Sequence, residues 1–154
     1  MTFDITTGLI VLFVLVFLAA AAVYNNIKNN NRLRNHIKSS WGKVPDIKYK
    51  PGDMESIAKF YNNLSKKEKD RFYIDNITWN DLDMDKIFTR INNTCSSPGE
   101  EFLYYLLRTP NFTANELNEK EKLMDFFDKN VTIREKIQFL LSKIGKSRNL
   151  IPLQ

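Results

Sequence analysis

One histidine, His36, and one cysteine, Cys95, are all that this chain offers of the two side chains that most often serve as nucleophile, proton shuttle or transition-metal ligand. A lone cysteine excludes an intrachain disulfide and a cysteine metal cluster. His36 and Cys95 stand far apart, and the carboxylates near them show no ligand spacing, so neither a Cys-His nucleophile nor a zinc site is written here. Cys95 is therefore expected as a buried, inert core residue. Ile144-Gly145-Lys146-Ser147 imitates the end of a phosphate-binding loop, Gly-x-x-x-x-Gly-Lys-Ser/Thr, yet the place of the first glycine is held by Leu140 inside a helical pattern. Gly145 reads as a helix stop instead. No catalytic, cofactor-binding or metal-ligating residue is assigned, and the chain is expected to be no enzyme and to carry no cofactor.

Cations are what the sequence supplies. The net charge is +5, and residues 28–50 hold seven Lys or Arg against the single acid Asp46. Lys28, Arg32, Arg34, Lys38 and Lys43 from that stretch, and Lys66, Lys67, Lys69 and Arg71 further on, are the candidate contacts for lipid headgroups or other phosphates. Lys143, Lys146 and Arg148 form a third basic group. Glu68 and Asp70 interrupt the second, and no helix lines up Asn, Gln and Arg on one face to read base edges, so DNA contact is expected to be weak and confined to the backbone. The aromatics Phe60, Tyr61, Phe72, Tyr73, Trp79, Tyr104 and Tyr105 are expected in a core rather than as a stacking platform for single strands.

Those cations are positioned by an apolar run. No charge occurs between Asp4 and Lys28, and residues 5–24, at 1.5 Å per residue, reach about 30 Å, the thickness of a hydrocarbon core. This is read as a transmembrane helix, with residues 1–4 as an outer tip. The excess of Lys and Arg behind the span puts the carboxyl-terminal side in the cytoplasm of a single-pass protein of the cell membrane. The competing reading is a cleaved secretory signal, for which Ala20-Ala21-Ala22 offer a small-residue site. No Lys or Arg precedes the run, and it is longer than a signal core, which favours the uncleaved anchor. Asn-x-Thr triplets at Asn76, Asn92, Asn111 and Asn130 then face the wrong compartment for glycosylation, and with 17 Asn in the chain such triplets arise often by chance.

Residues 25–52 read as a basic juxtamembrane linker, whose Asn-rich start continues the membrane helix for a few turns before fraying and whose Trp41-Gly-Lys-Val-Pro45 and Lys50-Pro-Gly-Asp53 are extended. Residues 53–154 read as one helical domain. Asp53 caps its first helix, and the Ser/Thr-x-x-Glu capping pattern at Ser65/Glu68, Ser97/Glu100, Thr113/Glu116 and Thr132/Glu135 marks four more starts. Apolar stripes follow at Met84, Ile87, Phe88 and Ile91, at Phe102, Leu103, Leu106 and Leu107, and at Ile133, Ile137, Leu140, Leu141 and Ile144. No sustained two-residue alternation appears. The fold class is all-α: a bundle of about six short helices on a membrane stalk.

The stretch from Trp79 to Pro110 resembles the opening of the helical core domain in the MutS family of DNA mismatch-repair ATPases. Ile87-Phe88, Ile91-Asn92-Asn93-Thr94, Ser97-Pro98-Gly99, Leu106-Leu107 and Pro110 occupy the places of that family's signature, and the helices of residues 117–127 and 133–144 continue the likeness, so that it covers about residues 79–146. The span and the lead-in Asp75 to Asp85 are similar to membrane-anchored MutS-like proteins of low-GC bacteria. The resemblance implies a DNA-binding ATPase with partners or a homodimer, but the phosphate-binding loop and the mismatch-reading Phe-x-Glu pair are both absent from this chain. What it implies here is a non-catalytic scaffold: the amino-terminal portion of a longer member or a stand-alone remnant, as the uncapped tail Asn149 to Gln154 suggests. An unrelated single-pass protein whose cytoplasmic helices form a protein-interaction module is the alternative.

Overall fold

A computed structural model describes residues 5–110 and 113–146. The chain forms two compact units, residues 1–39 and 40–154, and among the described residues the regular structure is helical throughout.

The first unit is built on α1 (Ile5–Ser40), which runs unbroken for 36 residues. Its most apolar stretch has a mean hydropathy of 2.6 and buries none of its residues within the chain. Leu9 to Leu18 all stand exposed. At 1.5 Å per residue the helix is about 54 Å long, so it is long and apolar enough to cross a membrane and to project beyond it. The fraying expected after a few turns beyond residue 24 does not occur before Ser40. Each Asn costs at most about 0.7 kcal/mol against Ala, and extending a helix already nucleated is far easier than starting one.

The second unit starts with an extended connector, in which Gly42 (φ 72°) and Gly52 (φ 87°) supply left-handed turns, and continues with α2 (Asp53–Ile57), α3 (Lys59–Lys67), α4 (Asn76–Asp81), α5 (Met84–Ile91), α6 (Ser97–Arg108), α7 (Ala114–Lys129) and α8 (Val131–Ile144). Helices α2 and α3 pack on α6, α4 packs on α5, and α8 follows α7 directly, the two meeting at Asn130. Among the described residues this unit holds seven helices rather than about six: the segment expected as one helix from Asp53 is interrupted at Ala58, α4 is added, and no helix starts at Ser65.

The core of this unit is aromatic. Tyr104 stands at its centre with ring centroids 4.7 Å from Trp79, 5.8 Å from Phe88 and 5.9 Å from Tyr61, mostly edge to face. Such pairs add about 0.5–1.5 kcal/mol each beyond burial. Ile57, Ala58 and Tyr105 complete the buried set, and Tyr49 from the connector packs against it. Of the seven aromatics expected there, Tyr61, Trp79, Tyr104 and Tyr105 are core residues and Tyr73 packs at the edge, while Phe60 and Phe72 are exposed, Phe72 at 60%.

The capping signals divide. Thr113 caps α7 as read, accepting from the Glu116 N–H at 3.3 Å and donating to its carboxylate at 2.9 Å. The cap of α6 is Ser96, one residue earlier than read, and accepts from the Gly99 N–H. Thr132 lies inside α8, because Asn130 closes α7 and opens α8 in a single residue and leaves no room for a cap at Thr132. Ser65/Glu68 is an end, not a start: α3 stops at Lys67, Glu68 is its carboxyl-terminal cap, and the Ser65 hydroxyl donates back to the Asn62 carbonyl. The residues that follow, Lys66 to Arg71, hold no apolar side chain with which a new helix would dock. Asp53 is the first residue of α2, and its carboxylate accepts from the Lys50 N–H at 2.8 Å. Gly145 (φ 77°) ends α8 as read.

Candidate functional site

The candidate phosphate contacts fall into two groups on different units. Lys28, Arg32, Arg34 and Lys38 are exposed on the second half of α1, where Lys28 stands 5.9 Å over the ring of Tyr24. Spacings of four, two and four residues spread them over an arc of about 160° and about 15 Å of axis, starting one turn past the apolar stretch. This is a cationic collar, the distribution that lets long side chains reach a headgroup layer around a helix.

On the second unit Lys43, Lys66, Lys67, Lys69 and Arg71 are exposed. Lys66 and Lys67 occupy the last turn of α3, where positive charge is favoured by the unpaired carbonyls. Arg71 lies 3.7 Å from the Glu68 carboxylate, and its guanidinium stands 5.6 Å from the ring of Tyr105. Of the third basic group, Lys146 is committed to an ion pair, Lys143 stands 5.2 Å from the ring of Phe139, and Arg148 lies outside the described residues.

The structure adds a buried polar centre that spacing alone did not reveal. Glu100, 1% exposed, accepts from the Asn92 amide at 2.8 Å and from the Lys146 ammonium at 2.9 Å. Asn92, fully buried, also donates to the Tyr49 hydroxyl at 2.8 Å and accepts from the Thr94 hydroxyl at 2.6 Å. The Gly145 carbonyl accepts from the Ser97 N–H beside it. Connector, α5–α6 turn and the end of α8 are thus tied at one point. Gly99 fits closely there, since a Cβ would stand 3.2 Å from the Ser96 hydroxyl and the Thr94 Cβ, and those neighbours would have to yield by a few tenths of an ångström. Asn92, Thr94, Ser97 and Gly99, singled out in the sequence, meet here; Lys146, read only as a basic surface residue, does as well. Cys95 is half-buried in the same turn, not in the core as expected, because Asn92 rather than Cys95 turns inward.

A second buried cation, Arg108, is enclosed by the rings of Trp79 (4.0 Å), Tyr61 (4.9 Å) and Tyr104 (5.2 Å). It donates to the Ile74 and Asp75 carbonyls at 2.9 and 3.1 Å and to the Tyr104 hydroxyl at 2.7 Å. Burial pushes the Tyr104 phenol above its ordinary value, against the opposing pull of Arg108. Asp75 caps α4, and the hydrogen bonds from Thr78 hold its carboxyl below the usual carboxylate range. These groups brace the fold, and among the described residues no three His, Cys, Asp or Glu side chains gather to hold a metal ion.

The most unusual surface is on α8. Ile133, Ile137, Leu140, Leu141 and Ile144, the stripe read as a core face, are each 39–64% exposed. The face turned inward is the other one: Arg134 is buried, donating to the Phe127 carbonyl at 3.0 Å with its guanidinium 3.3 Å from the ring of Trp41, while Gln138 and Ser142 are half-buried. Helix α7 buries no residue fully. Sequence periodicity located this stripe but not what it meets. No family model, no curated protein and no solved structure matches the chain.

Proposed function

We propose that this chain is a non-catalytic, membrane-anchored helical scaffold, a single-pass protein of the cell membrane with its amino terminus outside and its helical domain in the cytoplasm. The observation that carries this reading is the two-part character of α1: an apolar stretch with no burial inside the chain, followed directly by the collar of Lys28, Arg32, Arg34 and Lys38. Leaving so many large apolar side chains in water is unfavourable by about 25 cal/mol per Å², and hydrocarbon removes that cost. The cations then sit on the side where positive charge is retained during insertion. The likeness of residues 79–146 to the opening of the MutS core supports a scaffold that serves a nucleic-acid ATPase whose motor lies on other residues, with only weak backbone contact to DNA.

The test is fractionation followed by protease protection. The chain should resist extraction by alkaline carbonate, and protease should remove the helical domain only from the cytoplasmic side. Release into the carbonate supernatant would overturn the anchor; digestion from outside intact cells would overturn the orientation. For DNA, a filter-binding titration should show affinity only at low salt, and no retention at any ionic strength would end that part. A second reading, a protein-interaction module, is favoured by the outward stripe of α8.

A further inference from the structure

We infer that the consecutive helices α7 and α8 are a self-association surface on which a second copy of this chain docks, its α7 covering the α8 stripe and its α8 covering α7 in return. The inference rests on the interaction-module reading and is independent of the anchor. Ile133, Ile137, Leu140 and Ile144 fall at i, i+4, i+7 and i+11, the spacing of a helix-pairing seam. The polar side of α8 is covered within the chain and the seam is not, the reverse of what a helix at the edge of a finished fold presents. The five stripe residues of α8, with Leu117 and Met124 on one side of α7, expose 39–65% of their surface.

Charge selects the occupant. Lys136 and Lys143 flank the seam, so two α8 helices brought face to face would set like charges against each other. The complement must be an acidic helix with exposed apolar side chains, and α7 answers that description. It holds five acids against three lysines, net −2, where α8 holds three cations against one acid, net +2. On α7, Leu117, Glu121, Met124 and Asp128 repeat the same i, i+4, i+7, i+11 ridge, and Leu117 and Met124 are 54% and 65% exposed. Docking α8 on α7 of the second copy, and α7 on its α8, engages both ridges through one two-fold, isologous contact.

Sedimentation of the full chain in density-matched detergent micelles tests this, with helix content followed by circular dichroism. The wild type should be a dimer. Ile137→Glu, at a position already exposed in the single chain, should keep its helix content and raise the dimer dissociation constant on the order of 30-fold or more. Lys136→Glu/Lys143→Glu and Glu121→Lys/Asp128→Lys should each be monomeric alone and dimeric when mixed, because only the mixed pair matches charge at both contacts. A monomeric wild type, a dimer indifferent to Ile137→Glu, or failure of the mixed pair to reassociate would each overturn the proposal, as would a chain that stays monomeric and instead takes up an unrelated acidic helix. Micelles score dimerisation whether or not the chain is anchored in cells, so this result is separate from the fractionation.

Discussion

Lys146→Met should unlock the carboxyl-terminal end of α8 from the α5–α6 turn. Lys146 keeps 23% of its side chain exposed, whereas Glu100 is 1% exposed, so the substitution removes the cation from a carboxylate that water does not reach. Breaking a buried pair in this one-sided way costs about 3–5 kcal/mol, and the partial exposure of the lysine places the effect near 3 kcal/mol. For a unit of this size each kcal/mol moves the midpoint by roughly 3–5 °C, so Tm should fall by about 10 °C. Near-ultraviolet circular dichroism is the appropriate signal, since Trp79 is 2% exposed and loses its asymmetric surroundings when the unit opens, while α1 contributes helix signal throughout. The paired substitution Glu100→Leu/Lys146→Met removes both charges and should recover much of the loss, with a coupling of about 2 kcal/mol. A midpoint within about 2 °C of wild type for Lys146→Met would refute the reasoning, since it would mean that Glu100 is satisfied without its cation.

Arg108→Lys should cost about 2–3 kcal/mol in denaturant unfolding with an unchanged m-value, because an ammonium cannot stack within the aromatic cage and reach two carbonyls and the Tyr104 hydroxyl together. Thr113→Ala removes the cap of α7 and should cost about 1 kcal/mol, read as faster amide exchange in its first turn. The Asp75 carboxyl should titrate below the ordinary aspartate value by NMR, and Thr78→Val, which removes the hydroxyl and keeps the backbone N–H, should move it part of the way back up; with the folded value depressed, its stabilisation is present above the unfolded value and lost as pH falls through the folded one. Tyr104 has the opposite sign: its raised folded value favours the neutral phenol, so this contribution is complete below about pH 10 and lost as pH rises through the folded value, visible as late phenolate absorbance.

Local chemistry was legible where a residue's own neighbours decide its state. The charge-free run became α1, Gly145 took the positive φ that a helix stop needs, and Thr113 and Glu116 formed their reciprocal cap. The same four-residue pattern misled at Ser65, where the hydroxyl bonds backward, because a cap signal acts only if an apolar face follows to dock the new helix. Asp75, which does cap a helix, carries no Glu or Gln three residues on, and its signal is a single acid before Asn76-Ile77-Thr78. Pairings across long separations were not legible. Nothing in the spacing joins Lys146 to Glu100, 46 residues away, or Asn92 to Tyr49, 43 residues away, since both contacts exist only once the helices are packed.

The orientation of α8 shows why a stripe and its burial are separate facts. Periodicity states that Ile133, Ile137, Leu140 and Ile144 share a face, but not what that face meets. Within the chain, Arg134 decides the rotation: its donation to the Phe127 carbonyl and its contact with Trp41 hold the polar side inward, and Asn130 leaves no loop through which α8 might turn over. Turning the stripe inward would expose those apolar side chains less but strip a buried guanidinium of its partners, a loss of several kcal/mol. Arg134→Ala should therefore weaken more than one cation–π contact. It should free α8 to rotate, bury part of the stripe and lower dimerisation, whereas Arg134→Lys, which keeps a cation on the ring of Trp41, should leave dimerisation near wild type. Equal dimerisation by both variants would show that the stripe faces outward for a reason other than Arg134.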